Sequence, residues 1–315
     1  MLDDPRATFV IPSWNGKHLL EQCLPSVMEA IRYSGCDNHE VLVVDDGSTD
    51  DTIAFLTSAF PSVQVIEIGS NKGFANACNV GVEAVRNEIV VLLNNDVLVE
   101  RDFLGPLLAH FEDQGVFAVG SRVYYSDKKT IYVGKTAGRF RCGVFFTVRP
   151  SQLNHDKPSY SLWAGGGTSA FSRSKFLLLG GFDSLFFPFY FEDTDLCFRA
   201  WKRGWKVIYE PRSVMYHEPS STIARIHSQW EIKLIENRNR FLFTWKNFSQ
   251  ARYVIQQAIG VPLVAIGAAI AGKPYVLLGL FQALRRLPTV LECRETTPAP
   301  VLTEAQILDL CLSTC

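Results

Sequence analysis

Short apolar runs alternate with segments of helical periodicity through the N-terminal part of this chain. Such runs contain few polar side chains, which is typical of strands that are buried on both faces. Between them, apolar residues recur every three or four positions at 20–31 and 74–85, which predicts amphipathic helices. The predicted strands are residues 8–11, 41–44, 63–68 and 89–93. This alternation predicts an α/β fold with a mostly parallel central sheet flanked by helices.

The pattern changes after Asp96. Shorter β-like pieces predict a mixed half, and a helix at 194–203 is expected to end at Gly204, which suits a left-handed C-terminal position. These pieces are residues 116–119, 144–148, 168–171, 207–209 and 214–216. We therefore expect a catalytic unit over residues 1–225 and a helical C-terminal appendage over residues 226–315.

Composition narrows the class of protein. The chain has 315 residues, a formal net charge of −1 and 47% hydrophobic residues. The length allows one large domain with an appendage, and the balanced charge argues against a surface that covers nucleic-acid phosphates. The eight cysteines are scattered without a CxxC pair, which favours reduced thiols in a cytosolic protein. Asp3, Asp4 and Pro5 stand where a secretory signal would be basic, so no such signal is expected.

Charge is unevenly distributed. Residues 237–291 contain no Asp or Glu but several Lys and Arg. Within them, residues 253–272 are uncharged and would span about 30 Å as a helix. Gln256, Gln257 and Pro262 interrupt the apolar run. Because both flanks are basic, we interpret the segment as an interfacial or re-entrant membrane contact. A buried helical hairpin, a dimer interface and a single membrane span are the alternatives.

Polar residues follow three of the predicted strands. Trp14 and Asn15 follow the first, Asp45 and Asp46 the second, and residues 94–96 the fourth. In open α/β sheets, ligands bind beyond the carboxyl ends of the strands. The sequence therefore predicts a ligand site at this edge of the sheet.

Asp96 and His217 are candidate metal ligands. A carboxylate at a strand end can hold a divalent cation that offsets charge on a diphosphate leaving group. An imidazole can supply a ligand from another segment. A solvated Asp in an Asn-rich turn and a hydrogen-bonded structural histidine are the alternatives.

Glu192 and Asp193 begin a predicted helix directly after the aromatic residues 186–191. A carboxylate fixed there could remove the proton of an acceptor hydroxyl, and the rings could support a sugar. The helix N-terminus favours the charged carboxylate, whereas aromatic burial and neighbouring carboxylates disfavour it. Helix capping alone is the structural alternative. Asp195 is expected to pair with Arg199.

Two turns carry further candidates. Residues 45–48 form an acidic turn whose carboxylates could accept from a base or a ribose, although a plain Asp-Gly turn is equally common. Asn71, Lys72 and Gly73 open a helix, where backbone N–H groups and the Lys72 amine suit a phosphate or sugar. Lys72 could also be a solvated surface charge.

In their order and spacing, these motifs resemble the family 2 glycosyltransferases of the GT-A fold. The closest branch is the rhamnosyltransferase-like and galactofuranosyltransferase-like one, and the resemblance covers about residues 8–217. The motifs that carry it are Val10-Ile11-Pro12-Ser13-Trp14-Asn15-Gly16, the run from Val43 to Asp50, Asn71-Lys72-Gly73-Phe74, Leu92-Leu93-Asn94-Asn95-Asp96 and Glu192-Asp193-Thr194-Asp195-Leu196.

The resemblance implies a role for each candidate. Asp46 would contact a pyrimidine base, with Pro12 and Asn15 in the same pocket, and Asp193 would be the catalytic base. The metal, Mg²⁺ or Mn²⁺, would be held by Asp96 and His217. The further donor-site candidates are Asn71, Lys72, Gly73 and Asn95. The acceptor-site candidates are Trp163, Gly166 and Glu192.

Two residues depart from the family pattern. Asn94 stands at the first position of the Asp-x-Asp motif, which leaves the metal to Asp96, His217 and the donor phosphates. Trp14 stands where a Tyr is more usual, so the contact with the base can differ in detail.

We therefore expect an inverting glycosyltransferase at the inner face of the cell membrane, as a peripheral cytoplasmic protein. Its donor would be a nucleotide-diphosphate sugar such as dTDP-rhamnose or a UDP-sugar, and its acceptor a saccharide or lipid-linked saccharide. No nucleic-acid partner is expected. A non-catalytic scaffold in a polysaccharide assembly complex is the main alternative, favoured by Asn94. A sugar-phosphate nucleotidyltransferase is disfavoured, because that class has an N-terminal Gly-rich loop and residues 12–16 contain a single glycine.

Overall fold

A computed structural model describes residues 6–36, 38–148, 150–217, 226–295 and 299–313. The strands are β1 (Ala7–Ser13), β2 (Glu40–Asp45), β3 (Gln64–Glu67), β4 (Ile89–Leu93), β5 (Val97–Val99), β6 (Val116–Tyr125), β7 (Ile131–Val133), β8 (Gly138–Arg141), β9 (Val144–Thr147), β10 (Ser159–Tyr160), β11 (Thr168–Ser172) and β12 (Lys206–His217). The helices are α1 (Lys17–Ser34), α2 (Thr52–Ala59), α3 (Phe74–Ala84), α4 (Leu104–Ala109), α5 (Arg173–Leu178), α6 (Glu192–Lys202), α7 (Gln229–Asn247), α8 (Ala251–Ile270), α9 (Pro274–Arg285), α10 (Leu287–Glu295) and α11 (Glu304–Ser313).

One large sheet organises the described residues. Its order is β10-β12-β6-β11-β4-β1-β2-β3, with β5 paired to β12 and β7 to β6. The four N-terminal strands are parallel, as the alternation of strands and helices predicted. Beyond β4 the sheet is mixed, because β11 runs antiparallel to both β4 and β6. The sheet as a whole is therefore mixed, with a parallel N-terminal half and the mixed second half that the shorter pieces predicted.

Helices cover both faces of the sheet, and β1 shows why. Its side chains alternate between two apolar cores: Phe9 and Ile11 join the core under α1 and α4, and Val10 joins the core under α3, α6 and α7. Every residue of β1 is buried, which is typical of a strand inside a parallel sheet. On the Val10 side, a Cβ on Gly81 of α3 would lie 2.3 Å from Val10 Cγ1, so glycine permits the close approach of helix and strand.

The last strand of the sheet is longer than its pattern predicted. Residues 207–209 and 214–216 were expected as two strands, but they form the single strand β12, with a register shift against β6 between Glu210 and Val214. The fully buried Glu210 side chain accepts from Arg212 and contacts His110 there. Through this strand His217 reaches β5, where it pairs with Val97. Strand β12 thus ends beside the turn that contains Asp96.

Helix α7 belongs to the core of the α/β unit. It lies in the part of the chain that the division at residue 225 assigned to the appendage, yet Phe241, Leu242 and Phe243 are at most 2% exposed. Their core cluster also contains residues of β1 and α6. Tyr253 of α8, Ala283 of α9 and Ile307 of α11 belong to the same cluster, so the later C-terminal helices also pack against this core. Residues 218–225, which contain that division, lie outside the described residues.

A buried carboxylate joins α6 to α7. Asp195 is fully buried and accepts from Arg199 Nε at 2.7 Å, from Lys246 Nζ at 2.8 Å and from Asn247 Nδ2 at 2.8 Å. Lys246 also donates to Asp183 at 2.6 Å. The pairing of Asp195 with Arg199 predicted from their spacing is confirmed. Burial opposes ionisation, but the charges of Lys246 and Arg199 outweigh it and lower the pKa of Asp195 to about 2.

Replacing Asp195 tests this junction. We expect Asp195→Ala to lower the free energy of unfolding by about 3–5 kcal/mol, because it leaves buried cations without their partner. The matched control Asp113→Ala removes an exposed pair with Lys206 and should change stability little. Both are measured by urea denaturation at neutral pH, and equal effects would contradict the proposed contribution of burial.

The loss of stability in Asp195→Ala should depend on pH. The pKa of Asp195 is lower in the folded chain than its usual value of about 3.9. Its contribution to stability is therefore complete above about pH 4 and is lost as the pH falls through the interval down to about 2. We expect the difference between wild type and Asp195→Ala to narrow over this interval.

Candidate active site

The polar residues at the strand ends lie together, as predicted. The backbone N–H of Asp46 donates to the carbonyl of Ser13 at 2.8 Å, which joins the ends of β2 and β1. Asn95 Nδ2 donates to Ser13 Oγ at 3.0 Å, which joins the turn after β4 to β1. The N–H of Asn94 donates to the Gly167 carbonyl at 2.8 Å. Four segments that are distant in sequence therefore meet at the carboxyl edge of the sheet.

Asp46 holds the turn that precedes α3. One carboxylate oxygen accepts the Lys72 N–H and the other accepts the Gly73 N–H, both at 2.8 Å. Burial raises the pKa of Asp46, and these two N–H bonds oppose that rise. The expectation that these backbone N–H groups are free to bind a phosphate is wrong, because Asp46 already uses them. Asn71 and Lys72 are exposed, so their side chains are accessible to a ligand.

Asn15 joins the ends of β1 and β2 from the other side. It has a φ of 48°, a left-handed conformation that Asn tolerates better than most residues. Its N–H donates to Ser48 Oγ at 2.8 Å, and its Oδ1 accepts the Thr49 N–H at 2.7 Å. Pro12 is buried in β1 opposite Val44. Pro12, Asn15 and Asp46 therefore lie at the same corner of the sheet.

Asp45 adds a buried acceptor at this corner. Its Oδ2 accepts the Ser48 N–H at 2.9 Å, and its Oδ1 is buried without a hydrogen-bond partner among the described residues. Such an atom is costly to bury unless a ligand or water pairs with it. Sequence reasoning singled out Asp46 in this turn, whereas the unsatisfied oxygen belongs to Asp45.

Asp96 and His217 form a pair. His217 Nε2 lies 3.3 Å from Asp96 Oδ2, and both side chains are nearly buried. The remaining polar atoms, Asp96 Oδ1 and His217 Nδ1, are buried and make no hydrogen bond within the described part of the chain. The ring of Tyr132 stacks on His217, with centroids 4.4 Å apart and planes inclined by 16°. This ring fixes the orientation of the imidazole.

The pair fits a divalent cation whose remaining coordination positions are filled by a bound ligand or water. No group of three or more His, Cys, Asp or Glu side chains in the described ranges could hold a metal by itself. Asp96 and His217 would supply two protein ligands, and each has a buried polar atom that makes no hydrogen bond within the described residues. A cation at this position would need further oxygen atoms, such as those of a diphosphate or water.

Asp193 lies at the first turn of α6 and is held by backbone donors. Its Oδ1 accepts the Thr194 N–H at 2.6 Å, and its Oδ2 accepts the Gly166 N–H at 3.2 Å. The Thr194 hydroxyl donates to the same carboxylate at 3.2 Å. Burial raises the pKa of Asp193, and these hydrogen bonds oppose the rise.

Glu192 differs from Asp193 in its hydrogen bonding. Its Oε2 is buried and has no hydrogen-bond partner among the residues that the structure describes. Burial, followed by repulsion from Asp193, raises the pKa of Glu192. The N–H groups of Gly166 and Thr194 favour the charged form of Asp193, whereas Glu192 receives no hydrogen bond from these two groups.

Consecutive glycines connect Asp193 to the end of β4. Gly166 donates its N–H to Asp193, and its backbone is so close that an added Cβ would lie 3.5 Å from Asp193 Cβ. At Gly167 an added Cβ would lie 1.9 Å from Asn94 Oδ1. Only glycine allows Asn94 to pack against this backbone. The segment thus places the carboxylate of α6 beside the turn that carries Asp96.

The aromatic run before α6 divides into buried and exposed rings. Phe187 and Tyr190 are 50% and 40% exposed, and they remain available to contact a ligand. The expectation that the whole run supports a sugar is wrong for Phe186, Phe189 and Phe191, which are buried in the core. Phe187 also covers the turn before α3, because an added Cβ on Gly73 would lie 2.9 Å from the Phe187 ring.

The candidate acceptor residues are only partly brought together. Gly166 and Glu192 both adjoin Asp193, by hydrogen bond and by sequence. Trp163 is half-buried, and its backbone carbonyl and N–H are held by the Thr136 hydroxyl. The indole of Trp163 packs against the apolar core.

Sequence reasoning missed Tyr132, which the structure places in the site. Burial, with the nearby Tyr190 and Asp96, raises the pKa of Tyr132 to about 12. The Tyr132 hydroxyl therefore stays neutral and can donate a hydrogen bond near His217. A tyrosine in the three-residue strand β7 carries no pattern that would single it out.

Comparison with known proteins identifies the family. A family model described as "Glycosyl transferase family 2" matches residues 8–177, which is more than half of the chain. The chain is 29% identical over 183 residues to the pre-mycofactocin glycosyltransferase of Mycobacterium tuberculosis, covering 56% of this chain and 37% of that protein. It spans between 25% and 52% of the length of the curated relatives it matches.

Solved structures support the fold. The mannosyltransferase PcManGT from Pyrobaculum calidifontis, in complex with GDP-Man and Mn²⁺, matches with a TM-score of 0.54 and 18% identity, covering 99% of this chain and 88% of that one. TarS 1–349 of S. aureus in complex with UDP-GlcNAc matches with a TM-score of 0.57 and 14% identity, covering 92% and 83%. The mixed sheet with helices on both faces is thus a GT-A-like fold. By the match of its sequence, the chain belongs to glycosyl transferase family 2.

Proposed function

We propose that this protein is a metal-dependent inverting glycosyltransferase in which Asp193 is the catalytic base. The observation that carries the proposal is the position of Asp193, whose carboxylate is held by the N–H groups of Gly166 and Thr194. Through Gly166 and Gly167 it lies next to the turn that contains Asp96. A base and a metal-binding pair at one site suit sugar transfer from a diphosphate donor.

The hydrogen bonds of Asp193 define how it acts. Both oxygens are oriented by donors, so the carboxylate keeps one direction while a lone pair remains for an acceptor hydroxyl. Burial raises its basicity above that of an ordinary Asp. The acceptor oxygen attacks the anomeric carbon as its proton passes to Asp193, and the bond from that carbon to the diphosphate breaks. A single displacement of this kind inverts the anomeric configuration.

Asp96 and His217 are the residues that would hold the metal ion. The ion supplies charge neutralisation for the diphosphate that leaves with the nucleotide. An imidazole ligand favours Mn²⁺ over Mg²⁺, since Mg²⁺ is bound almost entirely through oxygen. The choice of Mn²⁺ therefore rests on His217, whose orientation is fixed by the stacked ring of Tyr132.

The corner formed by Pro12, Asn15 and Asp46 is the proposed site for the nucleotide base. The free oxygen of Asp45 suits an N–H or hydroxyl donor, and a pyrimidine diphosphate sugar, such as a UDP-sugar or dTDP-rhamnose, offers both. The side chains of Asn71, Lys72 and Asn95 surround the phosphates in this proposal, whereas the Gly73 N–H remains bonded to Asp46. The sugar acceptor would lie over Gly166 and Glu192, with Trp163 at its edge. Donors of this class agree with the rhamnosyltransferase-like or galactofuranosyltransferase-like branch.

A non-catalytic scaffold is the second candidate. It is favoured by Asn94, which supplies an amide where a carboxylate would strengthen the metal site, and whose side chain packs against Gly167. The intact pair of Asp96 and His217 and the ordered Asp193 argue against it.

The outward face of α8 is the proposed membrane contact. Ile255, Ile259, Leu263, Ile266 and Ile270 are spaced by three or four residues and are 57–83% exposed. The opposite face of the helix packs on the protein, where an added Cβ on Gly260 would lie 2.1 Å from the Cys142 carbonyl oxygen.

Helix α8 alone among the described helices is long and apolar enough to cross a membrane. Because one of its faces is packed on the protein, it suits an interfacial position better than a span. Arg252 and Lys273, exposed at either end of the helix, suit anionic headgroups. We therefore favour a peripheral protein on the cytoplasmic face of the membrane, with a lipid-linked saccharide as acceptor.

A thermal-shift panel tests the donor and metal sites together. UDP, dTDP, GDP and CDP are each added with Mn²⁺, with Mg²⁺ or with EDTA. We expect a pyrimidine diphosphate with Mn²⁺ to raise the melting temperature by several degrees, because at 100 Kd a ligand stabilises the folded state by about 2.7 kcal/mol. The shift should be smaller with Mg²⁺.

Two histidine variants make the panel specific. His217→Gln is expected to remove the Mn²⁺-dependent part of the shift, whereas His18→Gln, an exposed position on α1, should retain it. A full shift in His217→Gln would exclude His217 as a ligand. No shift with any nucleotide would favour the scaffold.

Asp193→Asn tests the base. We expect kcat to fall by about 10²–10⁴-fold, the usual contribution of a general base, while the nucleotide-dependent thermal shift is unchanged. Asp156→Asn, whose side chain is 88% exposed, serves as the control. In the wild type, the raised pKa of Asp193 should place the acidic limb of the kcat profile above the usual carboxyl range near pH 4. Near-wild-type transfer by folded Asp193→Asn would exclude this role.

Vesicle flotation tests the membrane contact. We expect the wild-type chain to float with vesicles of equal parts phosphatidylglycerol and phosphatidylcholine, and to bind less at high ionic strength. Ile259→Asp should not float with the vesicles, because a charge on the apolar face is costly to bury in the membrane. Leu178→Asp, which changes a 67% exposed leucine on α5, should float. Flotation of Ile259→Asp equal to wild type would contradict the assignment of this face.

A further inference from the structure

Asn239 of α7 makes an unusual set of contacts. Its side chain is fully buried, and its Nδ2 lies 2.7 Å from the Phe186 carbonyl, 2.8 Å from that of Phe189 and 2.9 Å from that of Tyr190. Its Oδ1 accepts from Arg238 Nε at 2.9 Å. The two N–H bonds of one amide group are thus shared among three carbonyl groups of the aromatic segment that leads to α6.

The segment held by Asn239 has a demanding backbone. Tyr190 and Phe191 have φ values of 70° and 78°, a left-handed conformation that costs about 1–2 kcal/mol for a residue other than glycine. Two such residues in succession persist only where surrounding contacts determine them. The last of the three carbonyls is that of Tyr190. The contacts of Asn239 therefore hold the backbone up to the peptide bond between the two left-handed residues.

This backbone directs the candidate base. Phe191 precedes Glu192 and Asp193 at the start of α6, and its carbonyl accepts the Asp195 N–H at 2.8 Å. A rotation of the left-handed pair would turn the first residues of the helix, which include Asp193. The contacts of Asp195 with Lys246 and Asn247 hold the helix lower down, so they do not replace the contacts that Asn239 makes with the loop.

We infer that Asn239 is a positioning residue that aims the Asp193 carboxylate at the acceptor by holding the loop from Phe186 to Tyr190. This inference rests on the proposed role of Asp193 as base. A displacement of about 1 Å at a reacting group can lower the rate by about 100-fold. Because Asn239 touches neither the donor corner nor the pair of Asp96 and His217 within the described contacts, its loss should affect turnover rather than donor binding.

The test compares two asparagines on the same helix. Asn239→Leu keeps the size of the side chain and removes its donors. Asn237→Leu is the matched control, because Asn237 is also buried but its Nδ2 bonds to Lys233 within α7. For both variants, kcat is measured per folded enzyme, together with its pH profile and the donor KM. The rise in melting temperature on addition of nucleotide and Mn²⁺ is measured as well.

We expect Asn239→Leu to lower kcat by about 100-fold, to displace the acidic limb of the pH profile and to leave the donor KM and the nucleotide shift unchanged. Asn237→Leu should retain the wild-type kcat and profile. Asn239→Asp keeps the size and at most one donor, so its kcat should lie between those of the wild type and Asn239→Leu. If Asn239→Leu does not fold, Asn239→Asp decides the question by the same criteria.

The outcomes separate this inference from the proposed function. A wild-type kcat and pH profile in the folded Asn239 variant, combined with loss of transfer in Asp193→Asn, would overturn the positioning role alone. Equal losses of kcat in Asn239→Leu and Asn237→Leu would also overturn it, since they would indicate a general effect of weakening α7. Near-wild-type transfer by Asp193→Asn would instead overturn the proposed base and, with it, the target of Asn239.

Discussion

The buried carboxylate of Asp195 is the interaction on which the arrangement of this protein depends. A charge without solvent is costly unless it is paired and fully hydrogen-bonded, and Asp195 meets that condition through Arg199, Lys246 and Asn247. Two of these three partners belong to α7, so α6 can be buried with an ionised Asp only when α7 is docked. The helix that carries Asp193 and helix α7 are therefore parts of one packed unit.

The same constraint explains the electrostatics at the start of α6. Glu192 and Asp193 share a poorly solvated position, and Asp193 receives the N–H groups of Gly166 and Thr194. Burial raises the pKa of both carboxyl groups, and these hydrogen bonds oppose the rise at Asp193. Asp96 Oδ1 and His217 Nδ1 make no hydrogen bond within the described residues, and the ring of Tyr132 stacks on His217. Asp193 is thus held by hydrogen bonds, whereas the pair of Asp96 and His217 retains polar atoms that can bind a ligand.

Packing also links the apolar surface to the loop before α6. Helix α9 approaches α7 closely, since an added Cβ on Gly279 would lie 3.0 Å from the backbone of Arg238. Arg238 in turn donates to the Phe187 carbonyl, and Arg286 donates to that of Leu185. Helix α7 and Arg286, which follows α9, therefore donate to backbone carbonyls at residues 185–187. Helix α9 also packs on α8, so the exposed face of α8 is connected to the loop before α6 through α9 and α7.

The sequence by itself determined the parallel half of the sheet, the polar strand ends and the pairing of Asp195 with Arg199, because periodicity and i,i+4 spacing are local properties. Only the tertiary structure decided that Asp46 uses the N–H groups of the turn before α3. It alone brought Asn239 to carbonyls 49 to 53 residues earlier in the chain. Such contacts leave no periodic signal in the sequence. A buried asparagine in a helix cannot be distinguished from an exposed polar residue, because its partners are distant along the chain.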